Sequence, residues 1–93
     1  MTRDEYMAEA LDQARKAGEL GEVPIGAVIV LGDRIIGRGH NEVETRGMVT
    51  AHAEIIALEQ AARTVGDWRL DGAAVYATVE PCHMCLGALH LAR

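Results

Sequence analysis

The chain has 93 residues, 49% hydrophobic and 25% charged, with a net charge of −5. This profile fits one globular domain and excludes a bilayer-spanning segment, a disulfide scaffold and a surface that binds nucleic acid through bulk charge. Two cysteines and an acidic rather than basic start, MTRDEYM, point to a cytoplasmic protein.

In chain order, Thr2 and Glu5 form a capping-box pattern ahead of Met7, Ala10, Leu11, Ala14 and Ala17, which recur at helical spacing. Gly18 or Gly21 can end that helix. IGAVIVL and RIIGRG, joined through Gly32-Asp33, predict an antiparallel strand pair. Arg34, Arg38 and Arg46 lie close together in sequence and read as solvated arginines around that hairpin. Residues 40–49 have no period and predict a loop. Thr50 is placed to cap a second helix with Ile55, Ile56, Leu58 and Ala62 as its core positions. AAVYATV is a third strand, and Pro81 suits the first turn of a third helix. The order α-β-β-α-β-α is that of a mixed α/β layer architecture. A helical pattern running to Arg93 and three strands with an uncovered apolar edge predict a truncated domain.

The cysteines, Cys82 and Cys85, stand in PCHMC. On its own this C-x-x-C suits a redox pair and a zinc half-site equally, because both need thiolates near a helix start. TAHAEI changes the balance. His52 and Glu54 are predicted in the first turn of the second helix, the cysteines in the first turn of the third, and helix starts cluster at one end of an α/β sheet. His52, Cys82 and Cys85 then make three ligands, and a three-ligand zinc keeps a position for water, as catalytic sites do. His83 lies one residue off the face shared by the cysteines and reads as a surface side chain. Such a metal brings the pKa of its water to about 7. Glu54, beside the metal rather than on it, is placed to shuttle protons.

H-A-E joined to P-C-x-x-C resembles the zinc-dependent cytidine and nucleotide deaminase superfamily. EVPIGAVIV, Asn41, TAHAEIIAL and EPCHMCLGAL are most similar to the bacterial tRNA-specific adenosine deaminases within it. The resemblance implies a three-layer α-β-α, cytidine-deaminase-like fold with a mixed sheet. Residues 1–93 would be the N-terminal portion of that single domain, with its first three strands and three helices. It also implies one Zn2+ per chain on His52, Cys82 and Cys85, with water or hydroxide in the fourth position and Glu54 as the catalytic proton shuttle. Asn41 would hydrogen-bond the flipped base near the backbone of Ala53 and a pocket wall at Gly26, Ala27 and Val28. The partners implied are a tRNA anticodon loop and a second copy of the chain, with no membrane. The reaction implied converts the wobble adenosine to inosine with release of ammonia. Two features depart from the family pattern: Met48-Val49 stand where Asp-Pro is common, and His83 replaces a small or apolar residue. Two other readings stay open: a deaminase of a free base or nucleotide, guanine or cytosine type, and a catalytically inert zinc-binding fragment or thiol redox module.

Overall fold

The structure, a computed structural model, describes residues 1–92. Helix α1 (Arg3–Glu19) opens on the expected capping box. The Glu5 amide donates to Thr2 Oγ1 at 3.2 Å, and the Thr2 amide donates to Glu5 Oε1 at 2.8 Å. Strands β1 (Gly26–Leu31) and β2 (Arg34–His40) pair antiparallel, with Leu31 opposite Arg34 across the turn. Gly32 takes φ +63° in that turn, a conformation a Cβ disfavours. A short helix α2 (Val43–Arg46) interrupts the segment predicted as loop. Helix α3 (Ala53–Val65), strand β3 (Ala74–Ala77) and helix α4 (His83–Ala92) follow. Arg93, the last residue of the predicted helical pattern, lies outside the described residues.

The sheet order is β2-β1-β3, antiparallel at both junctions among the described strands. Central β1 is covered on both faces, which explains its unbroken apolar run. Val28 and Val30 face α1, against Tyr6 and Ala10. Ala27 and Ile29 face the other way, against Ala53, Ala57 and Ala61 of α3. The result is the expected three-layer arrangement.

Close approach of backbone sets the α3 layer. A Cβ on Gly37 would land on the Ala57 carbonyl, and one on Gly39 on the Ala53 carbonyl. The alanines of α3 therefore sit directly on the glycines of β2, bringing the helix start to the end of the sheet. On the opposite face, Gly26 lets α1 approach in the same way at Ala10 and Ala14.

Two helix details differ from expectation. Leu11 is exposed while Tyr6 and Gln13 are buried, so the covered stripe of α1 is rotated from the aliphatic one. Helix α3 begins later than predicted, with His52 rather than Thr50 as its N-cap, and Ala53, Ile56, Ala57 and Ala61 form its buried face. Alanines win the positions nearest the glycines because only a small side chain fits there.

Candidate active site

Three segments converge at one end of the sheet. His52, in extended conformation at φ −82° and ψ 153°, immediately precedes α3. Cys82 immediately precedes α4, and Cys85 lies in its first turn. Asn41 directly follows β2. They meet around a cleft of about 490 Å³, a size suited to a small molecule or a single base.

His52 Nδ1 stands 3.6 Å from Cys82 Sγ and 3.6 Å from Cys85 Sγ. All three donor atoms lie within 4.8 Å of one another. Ligands at zinc–nitrogen and zinc–sulfur lengths of about 2.0 and 2.3 Å, held tetrahedrally, sit about 3.6 Å apart. The donor set and its spacing therefore fit a metal ion.

The electrostatics point the same way. Burial, first, pushes the Cys85 thiol up to about 12, and the neighbouring Cys82 and the Glu54 carboxylate add to it. Cys82 is held below the usual thiol range, chiefly by the Cys85 backbone amide and further by the Cys85 thiol and the Met84 amide, against burial and Glu54. Two sulfurs and a buried carboxylate thus share a space whose described lining includes no Lys or Arg. A divalent cation relieves that repulsion and deprotonates a coordinating thiol outright.

Glu54, only 3% exposed, sits at the second helical position of α3 and lines the cleft together with His52, Cys82 and Asn41. Ala53, wholly buried in the core under α3, also borders the cleft. Asn41 is buried and tied on two sides: its amide donates to the Ile25 carbonyl at 3.1 Å, and its Oδ1 accepts from the Val43 amide at 3.3 Å.

Val28 is placed apart from this group. It is fully buried on the α1 face of β1 against Tyr6 and Ala10 and does not line the cleft. Gly26 and Ala27 are likewise absent from the lining. The apolar wall is built instead by Ile25, Val23, Val43 and Val79. Sequence reasoning also missed Glu22, a buried carboxylate in the cleft lining. Its one signal was position, in the polar segment between α1 and β1. His83 is exposed on α4 and is not among the three grouped metal-ligand candidates.

A family model for MafB19-like deaminases matches residues 1–93. The chain is 53% identical over 94 residues to a tRNA-specific adenosine deaminase of Bacillus subtilis, covering all of this chain and 58% of that relative. It is 50% identical over 91 residues to a tRNA-specific adenosine deaminase of Agrobacterium fabrum, covering 98% of this chain and 60% of that one. Among solved structures, one from a study of A-to-I editing by tRNA:A34 deaminases at the wobble position superposes with TM-score 0.95 at 49% identity. That match covers 98% of this chain and 66% of the other. A guanine deaminase from Bacillus subtilis also superposes with TM-score 0.95, at 39% identity, over all of this chain and 60% of its own. The chain thus spans 58–66% of the length of these four relatives. With a deaminase model matched from end to end, and the histidine and cysteines of its two motifs brought within ligand distance of one another, the chain belongs to the MafB19-like deaminase family.

Proposed function

We propose that this chain carries the catalytic centre of a zinc-dependent hydrolytic deaminase that converts the wobble adenosine of a tRNA anticodon loop to inosine. The observation that carries the reading is the His52, Cys82 and Cys85 cluster with Glu54 buried beside it and Asn41 in the same cleft. The high identity to tRNA-specific adenosine deaminases supports the choice of substrate.

His52, Cys82 and Cys85 would hold one zinc ion. Bound there, zinc activates water at neutral pH. Glu54 takes a proton from the attacking water and delivers it to the adenine ring as the C6–O bond forms. It then takes the remaining proton from the hydroxyl at C6 and passes it to the departing amine as the C6–N bond breaks, the C6 carbonyl forms and ammonia leaves. Asn41 and the backbone at Ala53 orient the base, while Ile25 and Val79 exclude bulk water from its flanks. The base reaches this cleft only when unstacked, as a loop nucleotide can be.

A homodimer fits the exposed apolar side chains of α4, Met84, Leu86 and Leu91. A cytoplasmic setting fits a tRNA substrate, and no described helix is long and apolar enough to cross a membrane.

A second reading, deamination of a free purine, draws on the equal superposition with guanine deaminase. Turnover of an anticodon stem-loop bearing a wobble adenosine, set against free guanine and cytosine, separates the two. Inosine in the stem-loop is the expected result, and ammonia from the free bases alone would overturn the tRNA reading. The inert-fragment reading falls if Glu54→Ala abolishes deamination with zinc still bound.

A further inference from the structure

We propose that Glu22 is a positioning residue of the cleft: from the segment between α1 and β1 its carboxylate holds the first turn of α2 and thereby sets Asn41 against the substrate. The inference rests on the reading of the cleft given above, but it stands on a separate set of contacts.

Helix α2 has four residues, too few to persist on their own hydrogen bonds. Its N-cap, Glu42, makes no side-chain capping bond. Its opening amides are met instead from two other places. The Val43 amide donates to Asn41 Oδ1 at 3.3 Å. The Glu44 amide donates to Glu22 Oε1 at 3.1 Å, and the Thr45 amide and hydroxyl donate to Glu22 Oε2 at 2.5 and 2.6 Å.

Glu22 is itself anchored. Its amide donates to the Ala17 carbonyl at 2.9 Å, tying it to the end of α1. The side chain is 6% exposed and has no ion pair to Lys or Arg among the described residues. A buried carboxylate without a Lys or Arg partner is costly unless its oxygens are hydrogen-bonded, and here both are. The Thr45 hydroxyl chiefly, with the Thr45 and Glu44 amides and, least, the charge of His40, holds it below the usual carboxylate range against the opposing effect of burial.

The consequence reaches the substrate through Asn41. Its Oδ1 is committed to the start of α2, which leaves Nδ2 as the donor offered to the cleft. Which end of the amide meets the base therefore depends on α2 staying in place, and Glu22 keeps it there. Both carboxylate oxygens are occupied by the loop, so Glu22 acts through Asn41 rather than on the base.

The test uses the zinc-loaded protein. Glu22→Ala is expected to speed hydrogen exchange at the Glu44 and Thr45 amides by roughly tenfold or more, the scale of lost charge-assisted bonds. It should also shift the Asn41 side-chain amide resonances while one zinc per chain is retained. On a wobble-adenosine stem-loop, KM should rise about tenfold while kcat changes less than about threefold, as loosened orientation predicts. Placed on Asn41→Ala, the same substitution should cost less than about twofold further in kcat/KM, because its route to the substrate is gone. Unchanged exchange and unchanged Asn41 resonances overturn the proposal, as do losses that multiply in the double variant. Thr45→Val removes one of the bonds without touching the acid and should reproduce part of each shift should Glu22→Ala fail to fold. A stem-loop that the wild type does not turn over counts against the proposed function alone, since the exchange and resonance readouts still decide the role of Glu22.

Discussion

The two halves of the candidate metal site are held by very different means. His52 and Glu54 stand at the start of α3, whose alanines press on the glycines of β2, and Ala53, Ala57 and Ala61 are wholly buried. Cys82 and Cys85 stand at the start of α4, where Cys85 is the only buried residue among those described. Met84, Leu86 and Leu91 are exposed there, and neighbouring β3 has no fully buried position. Apart from side-chain packing, α4 is tied at its far end, where the Leu70 amide donates to the Ala92 carbonyl at 2.7 Å. One half of the site is preorganised by packing. The other has little packing of its own, so a metal held by the proposed ligands would join a weakly held element to a rigid one.

The strongest way to break that contrast is to remove the metal. Chelation should accelerate exchange of α4 amides by up to a factor on the order of 10⁷, the equivalent of the roughly 10 kcal/mol scale of zinc binding to thiolate and imidazole sites. Amides of β1 should change little. Equal acceleration in both, followed by hydrogen-exchange mass spectrometry, would show that the metal staples the whole domain.

Glu54→Gln tests the rigid half without disturbing the join. Deamination should fall roughly 10³-fold, the usual scale of lost proton transfer, with zinc content and α4 exchange unchanged. Loss of zinc in this variant would mean that the carboxylate helps to hold the ion.

Gly39→Ala attacks the packing directly. The added Cβ would run into the Ala53 carbonyl and lie 2.7 Å from the Ala57 backbone nitrogen and 3.2 Å from Ile56 Cβ, so α3 must move. Overpacking of this kind costs about 3 kcal/mol, or roughly 15 °C in Tm for a domain of this size, readable by thermal unfolding. Gly87→Ala in α4, where no atom lies within 4 Å of the added Cβ, should be neutral or slightly stabilising.

Acid probes the Glu22 contacts. The Glu22 carboxyl is held below its ordinary value of 4.5, so its contribution to stability is fully present above that value. It is lost as pH falls through the lower folded-state pKa, because protonation then costs the folded state its hydrogen bonds. The Tm difference between wild type and Glu22→Gln should therefore be constant from neutral pH down to about 5 and shrink below it. A difference that widens on acidification would reverse the sign and refute the assignment.

The smallest effect belongs to the exposed surface of the weakly held half. Leu91→Ala should change monomer stability by less than about 0.5 kcal/mol, while weakening self-association if α4 is a dimer surface. Sedimentation reads the second effect separately from the first.

Much of this arrangement was legible in the residues because local chemistry decided it. Thr2 and Glu5 satisfy each other across three positions whatever else surrounds them. Gly32 supplies the turn conformation that β1 and β2 need. H-A-E and P-C-x-x-C carry their ligand chemistry in residue type and spacing, and the structure brings His52, Cys82 and Cys85 together. Less was legible wherever two segments distant in sequence had to meet. Thr50 looked like a cap, yet α3 starts at Ala53 because the backbone must reach Gly39 there. Leu11 looked like core, yet α1 buries Gln13 instead, beside His40, whose Nδ1 lies 3.2 Å from Gln13 Oε1. Val28 looked like a pocket wall, but strand alternation turns it toward α1 and leaves that role to Ile25 at the strand's entrance.

By itself, then, the sequence determined the three strands and the three longer helices, the α/β class and the donor set, since each depends on contacts within a few residues or on the identity of the side chains. Only the tertiary structure decided which wall the cleft has, that α2 exists, and that Glu22 holds it. A four-residue helix and a buried carboxylate are each unfavourable alone and become favourable only when folding brings one to satisfy the other.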